Sequence, residues 1–267
     1  MAQFNRILIT GAAGALGGML RHELAGLANT VRLNDRETIS KAGKNEEIII
    51  CDLSDKDAVI DMTRDVDAVV HMGGISREGK FQDIVQSNIV GINNLYEGCR
   101  KNNVGRVVWA SSLHSIGFHA RTTIMKPDSK LRPDSNYGAS KVYGEAIAQY
   151  YWDKYRIQSV SVRIYSCFPK PTDRRHLSTW LSYPDCAQLF GQCLLAPIVE
   201  HTIIYGVSNN KEKMADNTNS GHIGFHPQDN AEKYREQIEA TTDAVAPDDP
   251  FLATHGGSFV SDGHFED

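Results

Sequence analysis

Arg6-Ile7-Leu8-Ile9-Thr10-Gly11-Ala12-Ala13-Gly14-Ala15-Leu16-Gly17 is the stretch on which the fold turns. The compact run from Arg6 to Thr10 ends at a glycine and reads as a buried strand, while Ala15 to Leu27 carries apolar residues at helical spacing. Gly11, Gly14 and Gly17 at the junction allow a tight turn, close approach of backbone to a pyrophosphate, and seating of helix on strand. The amino terminus of the following helix favours negative charge.

Outward from this turn, strand-like runs recur at Thr30 to Leu33, Glu47 to Cys51, Ala68 to His71, Arg106 to Ala110 and Gln158 to Ile164. Helix-like stretches at Asp55 to Arg64, Phe81 to Asn102 and Tyr137 to Tyr155 separate most of them. Strands alternating with helices predict a doubly wound α/β fold of Rossmann type, a parallel sheet covered on both faces. One domain over residues 1–267 is expected, with residues from about 165 onward supplying most of a substrate-side cap. In that last third a helix is predicted at Ser178 to Leu195, a strand at Thr202 to Tyr205 and an amphipathic helix at Asp229 to Ala240. Asn209 to Gly221 reads as a surface loop, and the acidic tail from Asp248 has too little regularity to assign.

Composition narrows the function classes. A chain of 267 residues with 41% hydrophobic content can bury one large core, and its net charge of -5 argues against a general nucleic-acid partner. The five cysteines are scattered without a Cys-x-x-Cys pair, so neither a disulfide framework nor a zinc site is indicated and a reducing cytoplasm is the expected home. His222 and His226 are separated by Gly224 and followed by Pro227, which breaks any helix that could align them on a metal. No apolar stretch approaches the roughly 18 residues of a membrane span, and the amino terminus runs straight into the first strand without a signal-peptide pattern.

Asp35 follows the second predicted strand, where a carboxylate would accept hydrogen bonds from an adenosine ribose and repel a ribose phosphate. NAD is therefore favoured over NADP, although Arg36 beside it could tolerate that phosphate. Ala15, Leu16 and Gly17 would meet the pyrophosphate. Asp52 and Leu53 end the third strand at the adenine side, where Asp52 serves equally well as a helix cap, and Gly73 offers a further close backbone approach.

Two Tyr-x-x-x-Lys matches occur, Tyr137/Lys141 and Tyr150/Lys154. Tyr137 opens a helix after a loop holding Pro127 and Pro133, whereas Tyr150 lies inside that helix among other aromatics and suits packing. Ser111-Ser112 places hydroxyls at the carboxyl end of a strand, where open α/β sheets bind ligands. Oxidation of an alcohol needs a base near the working pH, so Tyr137 is expected to be lowered by Lys141 and by an oxidised nicotinamide, with Ser112 steadying the reacting oxygen.

On these residues the chain resembles the extended short-chain dehydrogenase/reductase family over roughly residues 4 to 240. That resemblance maps the family's serine, tyrosine and lysine onto Ser112, Tyr137 and Lys141, and its lysine-supporting asparagine onto Asn88. Within the family, His71 to Ser76, Ser111 to His114, Ser166-Cys167 and Arg175 to Trp180 are similar to segments of the NAD-dependent enzymes that oxidise free hexuronates to aldarolactones. The likeness implies that Ser76, Ser112, His114, Ser166 and Arg175 contact a small sugar acid, that no metal takes part, and that the chain forms a homo-oligomer. Arg175 suits a carboxylate and short hydroxyls suit a sugar ring. Cys167 reads as a buried small thiol. A nucleotide-sugar epimerase or dehydratase and a non-catalytic nucleotide sensor are the alternative readings.

Overall fold

The computed structural model describes residues 2–246 and 248–266. Among these residues nine strands lie in chain order: β1 Phe4–Thr10, β2 Ala28–Asp35, β3 Glu46–Ile50, β4 Ala68–His71, β5 Arg106–Ser112, β6 Gln158–Ile164, β7 Ser166–Cys167, β8 Trp180–Leu181 and β9 His201–Gly206. Seven form one sheet in the order β3-β2-β1-β4-β5-β6-β9, all pairs parallel. The strand order reverses between β1 and β4, so a crevice opens at the carboxyl ends of those two strands.

Nine α-helices accompany the strands among the described residues: α1 Ala15–Glu23, α2 Lys56–Met62, α3 Phe81–Ile84, α4 Gly91–Lys101, α5 Asn136–Tyr155, α6 His176–Thr179, α7 Tyr183–Leu195, α8 Arg235–Thr241 and α9 Pro250–Ala253. Alternation along β1 sends Ile7 and Ile9 to the face covered by α1 and α7, and Leu8 to the face covered by α2, α4 and α5. Both faces are therefore apolar, as a buried parallel sheet requires.

Local chemistry sets the helix that matters most. Ser135 caps α5, its Oγ accepting from the Gly138 N–H at 2.9 Å, and Arg156 ends it in the left-handed region at φ 59°. Behind α5, Glu145 is ion-paired with Arg163 of β6 at 2.8 Å and accepts from Ser111 Oγ at 2.7 Å, all three side chains buried. Helix and strands are thus locked beneath Ser112.

Three expectations change. The helix predicted at Ser178 to Leu195 is two helices separated by β8, because Ser182 caps a fresh start with Pro184 in its first turn. The stretch Phe81 to Asn102 is helical but carries a π turn at Val85–Val90. Asn209 to Gly221 is no free loop: Asn210, Met214 and Ser220 are buried, Met125 N–H donates to the Met214 carbonyl at 3.0 Å, and Asn210 Nδ2 donates to the Trp180 carbonyl at 2.8 Å. Its polar residues satisfy backbone groups inside the fold, which polarity alone does not reveal.

Candidate active site

One cavity of about 570 Å³ opens over the carboxyl ends of β1, β4 and β5, a size that suits a cofactor with a small ligand. Its floor begins at Gly11, whose φ of 69° and whose missing Cβ, which would lie 2.6 Å from the Met72 carbonyl carbon, leave only glycine. A Cβ at Gly17 would overlap the Gly11 carbonyl, so α1 sits directly on the turn. Gly14 starts α1 with no capping side chain, leaving first-turn N–H groups for an anionic ligand.

Asp35 ends β2 with its carboxylate held by two amides, Ala13 at 2.9 Å and Glu37 at 3.1 Å. Arg36 lines the same wall but is paired with Glu37 at 3.6 Å, both side chains exposed. Asp52 accepts from Ser54 N–H and Oγ, each at 2.8 Å, which holds its carboxyl below the usual range. The cap of α2 is Asp55, not Asp52. Leu53 wedges against Gly73, where a Cβ would sit 2.7 Å from Leu53 Cδ1. Uncapped amides, a fixed carboxylate and a tight glycine floor fit a dinucleotide.

The chemical end is built by β5 and α5. Tyr137 is buried and lines the cavity together with Ser112, whose hydroxyl is near enough to favour the ionised phenol. Lys141 lies one turn further on, its Nζ donating to the Ala110 carbonyl at 2.8 Å and lying 5.3 Å from the Tyr137 ring centroid. Burial lowers Lys141 to about 8. Tyr137 departs from the expected lowering: burial raises it to about 12, the Ser112 hydrogen bond offsets only part of this, and the charge of Asp134 adds to the rise. Desolvation of a buried phenolate outweighs one neutral hydrogen bond.

Opposite them lies Arg175. Its guanidinium donates to Ser166 Oγ at 3.2 Å and to the His255 carbonyl, while its buried Nε has no partner among the described residues. His114, two residues beyond Ser112, bonds through Nδ1 to Asp134 at 2.7 Å and stacks on Phe259 with centroids 3.8 Å apart. Cys167 also lines the cavity, yet its contact with Cys186 and its burial push the thiol well above its usual range, which disfavours a nucleophilic role.

A family model described as the NAD dependent epimerase/dehydratase family matches residues 7–182. The chain belongs to this family. It is similar to the uronate dehydrogenase of Pseudomonas putida, with 46% identity over 263 residues covering 98% of each chain. Among solved structures it resembles an alanine mutant of uronate dehydrogenase from Agrobacterium tumefaciens complexed with NAD, at 42% identity and a TM-score of 0.97, covering 99% of this chain and 100% of that one. It is also similar to glucuronic acid dehydrogenase from Chromohalobacter salexigens, at 45% identity and a TM-score of 0.94 over 97% and 98% of the two chains.

Every residue that the sequence places on cofactor or substrate lines this epimerase/dehydratase-family cavity except Asn88. Asn88 sits on the π turn, where Oδ1 accepts from Ile75 N–H at 2.8 Å and Nδ2 donates to the Ile75 carbonyl and to Ser140 Oγ, each at 3.0 Å. With its amide used on both sides, it pins the Gly73 to Ile75 turn to α5 and makes no bond to Lys141. Tyr150 and Lys154 are exposed and far from the cavity wall, paired with each other at 3.3 Å. Phe259, Tyr165 and Asp134 were missed. Phe259 comes from the tail, where no periodicity marks it, and Asp134 carried only the signal of a polar residue before a helix start.

Proposed function

We propose that the chain oxidises the anomeric hydroxyl of a free hexuronate, galacturonate or glucuronate, to an aldarolactone with NAD as hydride acceptor. One observation carries this: the phenol and hydroxyl pair of Tyr137 and Ser112 shares its cavity with a buried arginine whose Nε has no partner among the described residues. The first pair suits an alcohol and the second suits a carboxylate. The uronate dehydrogenases at 42% to 46% identity support the same substrate class.

In this reading Ser112 orients the reacting oxygen and Tyr137 takes its proton. Lys141 holds the nicotinamide ribose and keeps a positive charge near the phenol. When bound, oxidised NAD accepts the hydride and adds positive charge beside a phenol that burial otherwise holds near 12. Arg175 clamps the carboxylate, with Ser76, Ser166 and His114 on the ring hydroxyls. Asp35, fixed by two amides and flanked by the Arg36/Glu37 pair, selects NAD over NADP. Residues from about 165 onward form the substrate-side cap.

The test is incubation with NAD and galacturonate or glucuronate while nicotinamide absorbance is followed. Stoichiometric reduction of NAD with release of a lactone is expected. Conversion of UDP-sugars with free uronates ignored would refute the proposal.

A further inference from the structure

We propose that Asp134 is a positioning residue of the uronate site, acting through His114, and that its carboxylate fixes which ring nitrogen meets the sugar. This rests on the uronate reading above and deepens it. The Asp134 side chain is fully buried, although it lies on the loop just before α5. Three segments meet on it: the turn after β5, the start of α5, and the carboxyl-terminal tail. A Cβ at Gly117 or at Gly256 would overlap the carboxylate, and one at Gly138 would lie 3.1 Å from Oδ1. The Gly256 N–H also donates to the Gly117 carbonyl at 2.9 Å, so tail and turn close over the acid together.

The two carboxylate oxygens have separate tasks. Oδ2 faces His114 Nδ1 at 2.7 Å, and Oδ1 accepts from Ser135 Oγ at 2.8 Å, the hydroxyl that itself caps α5. An ionised carboxylate only accepts, so His114 Nδ1 must carry the proton. In the uncharged ring Nε2 is then an acceptor, and it has no protein partner among the described residues. The ring cannot turn away, since Phe259 stacks on it at 3.8 Å and Tyr137 meets it edge-on at 5.6 Å. Asp134 thereby presents a lone pair to a sugar hydroxyl beside the reacting phenol.

An amide at position 134 cannot do both tasks, because it has one acceptor oxygen for two donors. Asp134→Asn must either give its N–H to His114 Nδ1, which moves the ring proton to Nε2, or leave the Ser135 hydroxyl without an acceptor. The test uses the full-length parent protein, Asp134→Asn, His114→Gln and the double variant, with steady-state kinetics and long-range ¹H–¹⁵N spectra of His114. In the parent the uncharged ring should show the Nδ1–H form. Where Asp134→Asn shows His114 in the Nε2–H form, it should raise the uronate KM tenfold or more with the NAD KM within twofold; where it keeps the Nδ1–H form, the uronate KM should stay within threefold; and adding it to His114→Gln should cost no more than twofold further. A uronate kcat/KM within threefold of the parent in an Asp134→Asn variant whose His114 is Nε2–H, a tenfold rise in uronate KM in one whose His114 stays Nδ1–H, or losses that multiply in the double variant, would overturn the proposal. Should Asp134→Asn fail to fold, the parent spectrum decides, since an Nε2–H ring in an active parent overturns the inference by itself. A parent that reduces no NAD with uronate sinks the functional reading instead, and this inference with it.

Discussion

At the residue scale the site is governed by burial set against charge. Tyr137 is raised to about 12 and Lys141 lowered to about 8, both first by burial, with Tyr137 buried and Lys141 half-buried at the cavity wall. Tyr137→Phe removes the proposed proton acceptor while keeping the ring. Its kcat should fall on the order of 10² to 10⁴ with NAD affinity changed less than threefold, as measured by turnover and cofactor titration. Lys141→Met should lower kcat while leaving the thermal midpoint at or above the parent's at neutral pH, because a buried ammonium is costly. A melting scan showing clear destabilisation would count against that account. Arg175→Met tests the carboxylate clamp: uronate KM should rise by one to two powers of ten, the loss of about 1.5 to 3 kcal/mol associated with a charged hydrogen bond.

At the element scale, helix α5 presents Tyr137 and Lys141 to the cavity only if it keeps its seat on β5 and β6. The buried pair Glu145 and Arg163 provides that seat, and Ser111 ties it to the strand bearing Ser112. Glu145→Ala leaves Arg163 buried without its partner and should cost about 3 to 5 kcal/mol in a denaturant titration. The glycine turn is as demanding. Gly17→Ala drives a methyl into the Gly11 carbonyl, so α1 must lift from β1. NAD binding should weaken by more than tenfold, with a smaller effect on uronate KM at saturating NAD.

For the whole molecule, burial lowers four histidines, His71, His176, His201 and His255, and the first and last of these weigh most in the response to acid. Burial, and then the charge of Lys141, lowers His71 to about 3, and burial first lowers His255 to about 4. Both stay uncharged in the folded protein while the unfolded chain protonates near 6.5. Their contribution is therefore complete above that pH and is lost as pH falls toward 4 and 3. The slope is about 1.4 kcal/mol per pH unit for each proton. Thermal midpoints measured between pH 7 and 4 should fall accordingly, and His71→Gln should flatten the decline. The tail reports at the same scale. His255 joins Tyr165 at 2.9 Å, and Phe259 covers His114, so truncation after Ala253 should raise uronate KM more than tenfold and leave NAD binding near normal.

The sequence by itself determined the sheet, the glycine turn, the acid after β2 and the Ser112, Tyr137 and Lys141 set, because each rests on a local period or on a motif at a strand end. Position along α5 was also enough to separate Tyr137 from Tyr150. Only the tertiary structure decided what Asn88 holds, why Asn210 is buried, and that Phe259 and Asp134 both meet His114. Those facts depend on segments that are distant in the chain meeting over the same cavity. No spacing rule encodes such a meeting, since it is fixed by packing and by which buried polar groups find partners.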